Sequence, residues 1–86
     1  MSALINHALR MTFRDIAIAA LAANGFDADT VLKEFVAGKR PAQVLTMDHE
    51  GTIFEFKKRG CSVNFELVAR IKPEEQWLEI AFLSDH

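Results

Sequence analysis

The chain has no tyrosine, one tryptophan, one cysteine and two prolines in 86 residues. A single cysteine excludes an internal disulfide and fits a reducing compartment, so a cytoplasmic location is expected. Without tyrosine, and with every phenylalanine at an expected core position (Phe35 with Val31, Leu32 and Val36 on the second helix, the others below), only Trp77 is left to stack a base, which counts against single-stranded nucleic acid as a ligand. Excess charge of one sign is missing too. The net charge is −2, which gives no bulk preference for nucleic acid or for a basic partner. The longest apolar run, Ile16 to Ala23, is far shorter than the roughly 20 residues of a membrane span. Asp15 directly before it, and the patterned chain after it, read it as part of a helix and not as a signal sequence, although the first fourteen residues hold two arginines and no acid. Repeats, low-complexity tracts and linkers are absent, and the length sets one domain, 1–86.

Recognised chemistry is equally sparse. There is no glycine-rich phosphate loop, no HExxH and no nucleophile elbow. Asp48, His49 and Glu50 are adjacent on a strand end, where neighbouring side chains point to opposite faces and converge poorly on one ion. His49 and Cys61 lie beside opposite ends of the expected second strand, roughly 20 Å apart, well beyond the hydrogen-bond reach of about 3 Å that a nucleophile and its base require. Cys61 reads as a small core-facing hydrophobe, with Lys58 and Arg59 nearby as the only groups able to activate it. No catalytic residue, cofactor or metal site is assigned on these grounds.

What is present is periodicity. Ile5, Leu9, Phe13, Ile16 and Ala20 recur at the helical spacing, predicting a helix over about 3–24 that ends at Asn24-Gly25. Asp27 is an N-cap for a second helix over about 28–37, with Phe26 and Val31 placed as a hydrophobic staple. From residue 43 the period changes to two, predicting strands at about 43–49, 52–58, 61–71 and 76–83. A turn at Glu50-Gly51 pairs Met47 with Phe54 and Leu45 with Phe56. A turn at Arg59-Gly60 pairs Phe56 with Val63 and Phe54 with Phe65. A loop over 73–76 pairs Ile71 with Leu78 and Arg70 with Glu79. One face then collects Leu45, Met47, Phe54, Phe56, Val63, Phe65, Leu67, Ile71, Leu78, Ile80 and Phe82. The expected fold is α+β: two N-terminal helices packed on one face of a four-stranded antiparallel meander, ααββββ in two layers.

Two apolar groups fall outside that core. Leu4, Met11 and Ile18 repeat every seven residues on a separate stripe of the first helix. Val68, Trp77, Ala81 and Leu83 alternate onto the outer sheet face. Leu4, Met11, Val68, Trp77, Ala81 and Leu83 are therefore the candidate partner interface, and the functional expectation is a small non-catalytic interaction module that self-associates and acts on a protein partner as a regulator, inhibitor or assembly factor. The alternative rests on Lys39, Arg40, Lys57, Lys58 and Arg59, which gather at one end of the expected sheet as an anion or nucleic-acid site.

Overall fold

A computed structural model of the chain describes residues 2–40, 43–61, 64–72 and 74–84; for residues 2–12 and Cys61 the description stops at the backbone. Helix α1 spans Ser2–Ala23 and α2 spans Ala28–Val36. Strands β1 (Val44–His49), β2 (Thr52–Cys61), β3 (Asn64–Ile71) and β4 (Leu78–Ser84) form one antiparallel sheet in the order β1-β2-β3-β4. The ααββββ order and the α+β class are as the periodicity predicts.

Local chemistry ends both helices where expected. The Phe26 N–H donates to the Leu21 carbonyl at 2.8 Å and the Gly25 N–H to Ala22, the paired bonds of a Schellman end. The Asp27 carboxylate accepts from the Thr30 N–H at 3.1 Å and caps α2. Lys39 and Gly38 repeat the Schellman pairing on Glu34 and Phe35.

The core lies between the helices and one sheet face. Val31, Leu32 and Phe35 of α2, Ala17, Ala20 and Leu21 of α1, and Met47, Phe54, Phe56, Leu67, Ala69 and Ile80 of the sheet are its buried side chains. Helix α2 packs on β2, β3 and β4, while α1 makes its main contacts with the two edge strands, β1 and β4. The face that α1 buries is rotated from the one expected: Phe13 and Ala20 face the core as the period predicts, Leu21 joins them, and Ile16 does not. Alanines at 17 and 20 go inside, and Ile16 is 41% exposed. Burying small residues lets the helix backbone approach the sheet edges, at the cost of leaving Ile16 on the flank.

Register matches expectation in the first hairpin and departs from it in the next two. Leu45 pairs with Phe56 and Met47 with Phe54. Glu50 and Gly51 both take positive φ, 52° and 80°, which is the two-residue turn that suits the twist of a hairpin. The Gly51 N–H donates to the Asp48 carboxylate at 3.2 Å and steadies it.

In the second hairpin, β2 runs on through Arg59 and Gly60 to Cys61, and Phe56 pairs with Ala69, not Val63. Phe54 pairs with Ile71, not Phe65. The slip moves each partner six positions, an even number, so the expected faces survive while every partner changes. Cys61 ends β2 instead of starting β3, and Ser62 and Val63 lie outside the described residues.

In the third hairpin Ala69 pairs with Leu78 and Val68 with Glu79, but Leu67 pairs with Ala81. Ile80 is the extra residue of a β-bulge. Ile80 and Ala81 then both face the core. The alternation inverts beyond them: Leu83 packs against the core, and Phe82, expected inside, is 54% exposed.

Candidate functional site

Three surface features remain once the core is filled. The first is the outer sheet face, where the sequence places Val68 and Trp77 as uncovered apolar residues. Val68 is fully buried. Trp77 lies just before β4, with the Lys57 ammonium 4.3 Å and the Arg70 guanidinium carbon 4.4 Å from its ring centroid. Cation–π attraction to both groups orients the indole. Arg70 Nε donates to Glu55 at 2.7 Å, and the Lys72 ammonium stands 3.7 Å from the second carboxylate oxygen. The hydrogen bond from Arg70 holds the Glu55 carboxyl below its ordinary range against the opposing effect of burial, with the Lys72 charge adding to it. These side chains pack together over the outer face, with Trp77 half-buried. Of the expected partner contacts on this face, Val68 is buried, Trp77 stays half-exposed against Lys57 and Arg70, and Ala81 and Leu83 are turned toward the core by the bulge. Leu4 and Met11 lie outside the described side chains.

A carboxyl pair flanks this layer. Glu66 receives Arg59 Nε at 2.8 Å, and that bond pulls its carboxyl below the ordinary value. Glu79 is pushed above the ordinary value, first by its hydrogen bond with Glu66 and then by burial and the Glu66 charge. A carboxyl raised in the folded state favours folding while protonated, and that contribution is lost as pH climbs through its folded value. Glu79→Gln should therefore raise the melting temperature at pH 7, where it removes a charge facing Glu66. The gain should vanish below pH 4.5, the ordinary value for the group, where the wild-type carboxyl is itself neutral. Melting curves of the two chains at both pH values check this, and an equal difference at each would contradict it.

The second feature is a groove between α1, the start of α2 and the β4 edge, of about 420 Å³. Ile18 and Ala22 line one wall, Phe26 and Ala28 another, and Ile80 and Phe82 the third, with Arg14 at one rim and Asp27 and Asp29 at another. Arg14 Nε donates to the Ile80 carbonyl at 3.2 Å. The bulge and this hydrogen bond both occupy the middle of the β4 edge, the devices that discourage another strand from adding there. Ile18 belongs to the heptad stripe that the sequence singles out. Phe82 gave no signal, because nothing in Glu79-Ile80-Ala81 announces a bulge.

The third feature is the basic end of the sheet. The five cations expected there do not form one patch. Arg59 is paired with Glu66. Arg40 donates to Glu34 at 2.8 Å and lies over the rings of Phe26 and Phe35, its guanidinium carbon 5.1 and 5.5 Å from their centroids. Lys39 is exposed. Arg40, Lys57 and Lys58 converge with Phe35, Gln43 and Val44 on a pocket of about 470 Å³. His49, at the end of β1, stands tilted against the Phe54 ring with centroids 6.4 Å apart.

No protein-family model, curated protein or solved structure matches the chain. Among the described residues no helix is long and apolar enough to cross a membrane.

Proposed function

We propose that this chain is a small cytoplasmic protein-interaction module that acts by binding and not by catalysis, and that it assembles as a homodimer through α1 and the groove beside β4. The observation that carries the reading is the apolar wall of Ile18, Ile80 and Phe82, with Phe82 54% exposed at its rim. An exposed aromatic ring beside a groove with apolar walls and a charged rim is a common mark of a contact surface. The obstructed β4 edge favours a helix over a strand as occupant.

A second copy suits that role. Leu4, Met11 and Ile18 repeat every seven residues, and such a stripe is self-complementary. In an antiparallel pair about a two-fold axis near Met11, Leu4 of one chain meets Ile18 of the other, and the reverse. Charge agrees as well: the first fourteen residues carry arginines and no acid, and the groove rim carries Asp27 and Asp29. The dimer would act on a protein target as a regulator, inhibitor or assembly factor.

Met11→Glu and Phe82→Glu should each convert a dimer to a monomer while the far-ultraviolet circular dichroism stays that of the parent. Two variants that both keep the parent mass would overturn the reading.

A further inference from the structure

We propose that the pocket where the end of α2 meets the first residues of β1 and the far end of β2 binds a small anion bearing a phosphate group. Arg40, Lys57, Lys58 and Gln43 are among its lining residues. Lys57 and Lys58 point to opposite faces of β2, with the Lys57 ammonium on Trp77, so Arg40 and Lys58 are the cations that face it and Lys57 adds charge from behind the strand. They come from two separate segments, so the fold and not the sequence alone brings them together.

The local charge is uncompensated. Glu34 already receives Arg40, and Glu66 receives Arg59. Among the described residues neither Lys57 nor Lys58 forms an ion pair. Arg40 gives one terminal nitrogen to Glu34, its Nε is shut off from solvent, and its remaining terminal donors suit a phosphate oxygen, which matches the planar geometry of arginine. Lys58 is exposed and adds a mobile ammonium on the open side. Gln43 adds a neutral donor.

A small ligand fits better than a nucleic-acid strand. Single strands are held by stacking bases on aromatic faces as well as by charge. At this end of the molecule the chain's own cations already lie over those faces: Arg40 over Phe26 and Phe35, Lys57 and Arg70 over Trp77, Lys58 over Phe65. The pocket, at about 470 Å³, is within the range of small-molecule sites. The site is separate from the groove beside β4 and does not depend on self-association.

The test is thermal unfolding with increasing inorganic pyrophosphate, against sodium chloride at matched ionic strength, on the parent chain and on Lys58→Glu and Gln43→Glu. Both substitutions are at exposed positions and leave Arg40, with its packing role, in place. Pyrophosphate should raise the melting temperature saturably in the parent, with at least about tenfold weaker half-saturation in Lys58→Glu. A melting temperature that follows ionic strength alone would overturn the proposal, and so would a Lys58→Glu titration equal to the parent's. A single-stranded oligonucleotide that stabilises the chain where pyrophosphate does not would overturn it in favour of a polymeric ligand.

Discussion

Phe56→Ala should lower the unfolding free energy by about 3–5 kcal/mol, the usual cost of emptying a buried aromatic site. A domain of this length holds roughly 4–13 kcal/mol in total, so this one change brings the fold close to its limit. Phe56 is fully buried, centred in the sheet between Leu45 and Ala69, and its ring stacks on Phe54 at 6.2 Å. Helix α2 covers it, which leaves little freedom for the site to collapse. Urea denaturation should show an earlier midpoint with an unchanged slope. The informative comparison is Phe82→Ala. Simple alternation along β4 makes Phe82 a core residue and predicts a similar loss. The bulge at Ile80 puts it outside, where truncation costs within about 0.5 kcal/mol at protein concentrations too low for association. Equal costs at the two positions would contradict the described register of β4.

Gly60→Ala should be the most damaging change of a residue with no side chain to lose. Gly60 has φ +110°, a region that residues with a Cβ rarely occupy. Holding alanine there costs about 1–3 kcal/mol in backbone conformation alone. The added methyl would also collide with the Asn64 carbonyl oxygen and come within 3.3 Å of the Phe65 Cα. Neither group can swing aside, because both belong to the backbone of β3. The same substitution at Gly51, where nothing lies within 4 Å of the new carbon, carries the backbone cost without the collision. A melting temperature for Gly60→Ala no lower than that of Gly51→Ala would mean that β2 and β3 do not pair through Gly60 and Phe65.

These two sites also show why parts of the fold were legible in the sequence and others were not. The first hairpin can be read because Glu50-Gly51 is the only turn signal between two alternating runs, and the Asp48 side chain supports the turn locally. The second misleads because Arg59-Gly60 looks like a turn and is not one. Glycine there serves the strand, giving Phe65 a partner without a side chain in a backbone shape other residues resist. Faces survived the error because the slip was even. The bulge at Ile80 arises from tertiary packing, with both Ile80 and Ala81 drawn to the core and Arg14 bound to the freed carbonyl. No residue type in the strand encodes that. Helix α1 shows the same limit. Period places Phe13, Ile16 and Ala20 on one face, whereas contact with two sheet edges turns the buried stripe toward Ala17, Ala20 and Leu21 and leaves Ile16 out.

The candidate sites follow the same division. A basic sheet end was visible because Lys39-Arg40 and Lys57-Lys58-Arg59 fall at expected strand ends. Its partition was not visible, because the pairing of Arg59 with Glu66 depends on the register of the second hairpin. Trp77 looked like a contact residue since its sequence neighbours do not reveal Lys57 and Arg70 against its ring. Phe82, now at the groove rim, was hidden by the bulge.

The central claim is self-association through an apolar surface, and the solution mass tests it most directly. Light scattering behind size exclusion, at low and at high salt, should give twice the 9.7 kDa chain mass in both conditions, because apolar burial is not screened by salt. The monomer mass in both would contradict the account.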